Sequence, residues 1–262
     1  MGRGRSGAGK SSGGGGNAST PKAKTPSGVD YDGFMKMSDS QKYATMDSII
    51  HDSNIKVPDY LDGSVTSKVM YGLGLTNKPT VVDDATLASM PGKDLYRTVY
   101  EQGSMPPPSS ADILDQIRTG DFTQLSGSGG SAYGRALYFA RDDFTGSRCY
   151  GDGERNAMMM RAKINPKANM RSEQSLTQQM RADSAWQNHN VSANNRDSIA
   201  LYALSHGIDG WYSGTYTMIV NRGILTASSK NKSIATNGLT KTGQLKKGSS
   251  YAYSWDTAMD LN

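Results

Sequence analysis

The first residues of this chain that could do chemistry are GRSGAGKS, residues 4–11, which satisfy the phosphate-cradling pattern G-x-x-x-x-G-K-[ST] letter for letter. Such a loop works when a strand delivers the chain to it and a helix receives it, so that loop N–H groups and the helix N-terminus converge on phosphate. Neither support is encoded here. Only Met1, Gly2 and Arg3 precede Gly4. Ser12 and the glycines at 13–16 follow, each opposing a helix by about 1 kcal/mol relative to Ala. Gly/Ser/Arg/Lys-rich sequence produces such matches by composition alone. A nucleophilic thiol has no better support. Cys149 is the one cysteine, and no histidine stands at a spacing that supports it. His51 falls in helical sequence, His189 in polar sequence, and His206 at a helix end, where a cation favours the dipole. Three His and one Cys argue against a zinc site. The methionines at 158–160 read as a buried strand rather than as metal ligands.

The elements that must position any site begin after a basic tail. Residues 1–28 hold nine Gly, five Lys or Arg and no acid, and they have too little apolar surface to offset ordering entropy, so they read as disordered. The net charge of the chain is +5, and Arg3, Arg5, Lys10, Lys22 and Lys24 supply all of it. The remaining 24 basic side chains match the 24 Asp and Glu. Contact with nucleic acid or an acidic partner through residues 1–28, and a plain solvated linker, are both open. A single cysteine rules out an intramolecular disulfide and fits a reducing compartment. No apolar run approaches membrane-spanning length, and the N-terminus lacks a secretory h-region.

Beyond the tail, Ser38 and Asp39 cap a helix with Tyr43, Met46, Ile49 and Ile50 at helical spacing, and residues 64–71 form a second helix stopped by Gly72. Residues 94–102, DLYRTVYEQ, read as a strand. Residues 111–120 read as a short helix capped by Ser109 or Ser110, and a Gly/Ser loop follows at 126–134. Next come RALYFARD at 135–142, with Phe139 in the core, and a helix-like run to Tyr150. Residues 156–166 are a strand ended by Pro166, 169–195 are polar and resist placement, and 197–207 are a helix with a Gly stop. Two short strands lie at 208–212 and 215–221. Helices first, then strands with scattered helices, predict an α+β domain over 29–227. Residues 228–262, rich in Lys, Ser, Thr and Gly, read as a poorly ordered extension with Tyr251, Tyr253 and Trp255 as docking anchors.

The order LYR, GRALYFARD, CYGDG, MMMRAKINP, YTMIVNRGIL over about residues 35–227 resembles the ADP-ribosyltransferase fold, in particular its phage-encoded single-domain members and, more distantly, the poly(ADP-ribose) polymerase catalytic domains. The resemblance implies a split β-sheet core behind a helical lead-in. It also implies transfer of ADP-ribose from NAD+, as cosubstrate, to a host protein or nucleic acid. Nicotinamide leaves through an oxocarbenium-like transition state, so such a site needs a clamp, an aromatic platform and usually a carboxylate. Arg97 matches the clamp, for which a permanently charged, forked guanidinium is suited. Thr98 stands where a Gly often follows, and keeps the N–H and C=O that hold the nicotinamide amide. Tyr138 and Tyr150 match two rings around nicotinamide, and Ser131 is placed to donate to the ligand. Where many members carry Glu just before the late strand, this chain has Thr215 and Tyr216, so Tyr216 is the residue expected to line the pocket there. Asp209 is the nearest acid, and Glu101 and Glu154 are the substitute carboxylates. A rival reading follows from the missing Glu: an inactive virion or DNA-associated protein of the same fold, using the basic arm. The resemblance places the protein in the host cytoplasm, with carriage in the virion open.

Overall fold

Eight strands form one mixed sheet in the computed structural model, which describes residues 25–57, 64–75, 78–99, 109–119, 136–142, 156–189, 195–214 and 216–234. They are β1 (Thr80–Val82), β2 (Asp94–Val99), β3 (Leu137–Ala140), β4 (Met158–Ile164), β5 (Met170–Ser172), β6 (Gly210–Ser213), β7 (Tyr216–Ile219) and β8 (Leu225–Ser233). Their order across the sheet is β1-β8-β4-β2-β3-β7-β6-β5. The five inner pairings are antiparallel, while the outermost pairs, β1 with β8 and β5 with β6, are parallel. The architecture is therefore α+β.

The helices among the described residues are α1 (Tyr31–Met35), α2 (Asp39–His51), α3 (Val65–Gly72), α4 (Asp84–Ser89), α5 (Ser110–Thr119), α6 (Glu173–Ala182), α7 (Ser184–Asn188) and α8 (Asn195–Ser205). None is long and apolar enough to cross a membrane. Local chemistry sets their starts. Ser38 and Gln41 form a reciprocal capping box on α2, Ser64 caps α3, and Ser109 accepts from the Asp112 N–H ahead of α5. Gly207, at φ +61°, lets the chain turn after α8. Tyr43, Met46 and Ile49 of α2, Val69 of α3, and Leu201 and Leu204 of α8 enter one core with Leu137, Phe139, Met160, Trp211, Met218 and Ile219 of the sheet. A buried carboxylate joins two helices: Asp197, in the first turn of α8, accepts from the N–H and hydroxyl of Thr66 at 3.1 and 2.6 Å. The acceptance from the Thr66 N–H satisfies one of the N-terminal donors of α3.

Three segments depart from the sequence expectation. The unplaced region 169–195 supplies β5, α6 and α7, its polarity reflecting a layer with one buried residue per short helix, Leu176 and Trp186. Residues 228–233, expected to be poorly ordered, continue β8. Met158, Met159 and Met160 pair with Ser233, Lys232 and Asn231. Buried Arg118 of α5 donates to the carbonyls of Ser228 and Lys230 and to the Asn231 side chain. Residues 25–28, assigned to the tail, are also tied to the body. Ser27 donates its hydroxyl to the Gly72 carbonyl at 2.6 Å, and Thr25 donates its own to Val29 at 2.9 Å.

Candidate functional site

The junction of β2 and β3 holds the residues singled out by motif. Among the described residues, strand β2 shares six register pairs with β4 but one with β3, Tyr96 with Ala140. Beside that thin seam, Arg97, only 6% exposed, donates from Nη1 to the Tyr138 carbonyl at 2.9 Å. A charged donor on a backbone acceptor makes a strong link where the ladder is sparse. Successive strand residues face opposite sides of a sheet. Arg97 lies opposite Met160 and on the side of Leu95, whereas Tyr138 lies opposite Met218 and on the side of Tyr96 and Ala140. Sequence reasoning expected the Arg97 guanidinium and the Tyr138 ring in one cleft. The pleat instead directs them to opposite faces, with contact through the Tyr138 backbone.

Thr98 and Tyr216 fall on the Tyr138 side, Tyr216 through its pairing with Ala140. Tyr138 is half-buried against the core, and Tyr216 is a core residue, 2% exposed. Asp209 stands apart as a turn anchor ahead of β6, accepting the Asn169 N–H at 2.7 Å and the Asn221 amide at 2.6 Å. Ser131, Tyr150, Glu101, Glu154, Cys149 and the segment 4–11 lie outside the described residues.

On the Arg97 side a cavity of about 360 Å³ opens at the beginning of β2. It lies between Leu95, the β4–β5 turn, Arg141 just past β3, Tyr212 of β6 and Thr217 of β7. The register explains this grouping: Thr217 is paired with both Phe139 and Tyr212, so all three side chains share one face. Lys93, Arg141 and Arg171 also line it, and no acidic side chain does among the described residues. Arg141 is held in place, its guanidinium carbon 5.3 Å from the Tyr212 ring centroid and its Nη1 donating to Gly214 at 3.3 Å. Thr217 is fully buried, and its Oγ1 has no hydrogen-bond partner among the described residues. Sequence reasoning missed this cluster because its members are scattered singly. One signal was available: Arg141 follows LYFA by one step, in phase with Phe139 and so on that residue's face.

A second polar group lies within the helices. Asp183 ends α6, caps α7 by accepting the Trp186 N–H at 3.0 Å, and receives the Tyr43 hydroxyl at 2.6 Å. His206 Nε2 is 3.8 Å from the same carboxylate. Burial opposes ionisation of Asp183, but donation by Tyr43 and by backbone N–H groups, with the His206 charge, brings its pKa below the ordinary value. Burial and the neighbouring carboxylate push Tyr43 strongly upward, and burial first, then Asp183, pushes Tyr202 up to about 12. Trp186 packs edge-on against both Tyr43 and Tyr202 at 5.2 Å. This group ties α2, α6, α7 and α8 together and is separate from the cleft.

No family model, no curated protein and no solved structure matches the chain.

Proposed function

We propose that the chain is a phage-type, NAD+-dependent mono-ADP-ribosyltransferase acting on a host macromolecule. The observation that carries this reading is the adjacency of the LYR and LYFA strands, with Arg97 reaching from one to the backbone of the other across a seam that has one register pair among the described residues. A dinucleotide lying across the Arg97 face of this seam would pass over both strands. Arg97 then serves as a fixed cation for phosphate or ribose oxygens, because a guanidinium keeps its charge even when buried. Tyr138, Thr98 and Tyr216 lie on the opposite face of the sheet and support the seam from behind rather than touching a dinucleotide held on the Arg97 face. The bond between ribose C1′ and the nicotinamide nitrogen breaks, nicotinamide leaves with the electron pair, and an acceptor nucleophile on the host molecule attacks C1′.

A second reading, an inactive protein of the same fold with its basic arm on nucleic acid, is favoured by Tyr216. It stands at the carboxylate position of the resembled enzymes and is buried in the core. Labelled NAD+ incubated with host lysate separates the two. The transferase reading expects label on lysate macromolecules with the unaltered protein and at least ~100-fold less with Arg97→Ala, the scale of one lost transition-state contact. Arg97→Lys, which keeps charge but not the fork, should fall between. Intact NAD+ and no label from the unaltered protein would leave the second reading.

A further inference from the structure

The cleft on the Arg97 face is a cationic hollow that neither reading above uses, since Arg97, Tyr138 and Tyr216 do not line it. We infer that it binds the diphosphate group of a small molecule. The charge balance points there first. Lys93, Arg141 and Arg171 line the cavity, no acid among the described residues does, and two nearby acids are committed elsewhere. Asp94 faces Arg161 and Lys163 at 3.6 and 3.7 Å, and Asp209 is held by Asn169 and Asn221. Three cations around one hollow repel each other and are relieved by a multivalent anion.

The donors are also pre-positioned. Arg141 is fixed by the Tyr212 ring and the Gly214 carbonyl, and Arg171 donates from Nη1 to Met170 at 3.2 Å. A guanidinium has five N–H donors, so each keeps most of its fork for phosphate oxygens. Thr217 contributes an independent observation. Its side chain is fully buried and lines the cavity, and its Oγ1 has no partner among the described residues. A buried hydroxyl left unsatisfied is costly, and an acceptor oxygen brought against it from the cleft would remove that cost. The volume, about 360 Å³, exceeds what one phosphate fills, and three cations suit a diphosphate better than a single monoanion. This inference stands whether or not NAD+ is cleaved.

Calorimetric titration of the full chain with inorganic pyrophosphate tests it, with sulfate as the comparison anion. The expected result is pyrophosphate affinity at least ~10-fold above that for sulfate, as bidentate recognition requires. The double variant Arg141→Gln, Arg171→Gln should lose about tenfold per guanidinium. Both side chains are exposed, so its thermal melt should match that of the parent. Thr217→Val should bind pyrophosphate several-fold more weakly while its Tm is unchanged or rises by about 2–4 °C, because the substitution deletes the unsatisfied hydroxyl. A purely structural threonine would not separate those two readouts in opposite directions. Changing Arg3, Arg5, Lys10, Lys22 and Lys24 together to Gln should leave pyrophosphate affinity intact. Equal affinity for sulfate, indifference to the double substitution, or loss of binding with the N-terminal substitutions would each overturn the assignment.

Discussion

Asp183 shows how much one side chain can be asked to do. It ends one helix, caps the next, and accepts the hydroxyl of a tyrosine 140 residues earlier in the chain. Removing that donor with Tyr43→Phe leaves a half-buried carboxylate short of one charged hydrogen bond, which costs about 1 kcal/mol after solvent screening. The pH dependence fixes the cause. The folded pKa of Asp183 lies below its ordinary value of 3.8, so its contribution is complete above that value and fades as pH falls through the lower folded pKa. Thermal melts should therefore show the full gap between parent and Tyr43→Phe at neutral pH and a narrower one near the folded pKa. A gap independent of pH would assign the loss to packing against Trp186 and Tyr202. Residues of this kind were half legible. Spacing alone puts Tyr43 on an apolar helical face, and it is buried. Its partner, in sequence too polar to place, could not be named. Likewise Phe139 reads as core and is 1% exposed, while the side toward which Arg97 points depends on register with β3 and β4, which no local pattern encodes.

The elements that could be read are those whose own residues set their limits: α2 and α3 by serine caps, and β2 and β4 by runs of Tyr, Val and Met. β1, α4 and α6 were not read, because β1 and α4 are only three and six residues long and α6 is polar, so each depends on its neighbours more than on its own propensity. β8 makes that dependence testable. A chain stopped after Ala227 loses the pairs of Met158–Met160 with β8 and three acceptors of Arg118. It should melt well below, and less cooperatively than, one stopped after Ile234, which keeps them. Equal melts would show that the outer half of β8 adds nothing. The β6–β7 hairpin offers a sharper contrast. A Cβ on Gly210 would lie 2.2 Å from the Met218 carbonyl oxygen, backbone that is fixed by the pairing of the two strands. Gly210→Ala should cost about 3 kcal/mol. Gly214, at the turn with φ +55°, has open space where a Cβ would stand, with nothing within 4 Å, so Gly214→Ala should cost only about 1 kcal/mol of backbone strain. The two alanine variants, melted side by side, separate close approach from conformational freedom.

At the scale of the whole molecule, charge is divided along the chain rather than across the fold. Its +5 net charge resides in five cations ahead of Thr25, while the remainder balances. That division was visible in composition, because counting charges needs no register. The local concentration at the start of β2 was not, since Lys93, Arg141 and Arg171 meet only after β2, β3, β7, β6 and β5 have paired in turn. The two sources of positive potential predict different salt behaviour. An arm that neutralises about five phosphates releases their counterions, giving a slope near −4.5 in log affinity for duplex DNA against log salt. The cut belongs before Thr25 rather than after Gly28, because Thr25 and Ser27 bind Val29 and Gly72 and their removal would disturb the body as well as the arm. A chain beginning at Thr25 should therefore keep its melting temperature and lose both the affinity and most of that slope. If the slope survives the deletion, the phosphate contacts belong to the folded body. The cationic cleft would then be the first place to look, and the arm would have no part in nucleic-acid binding.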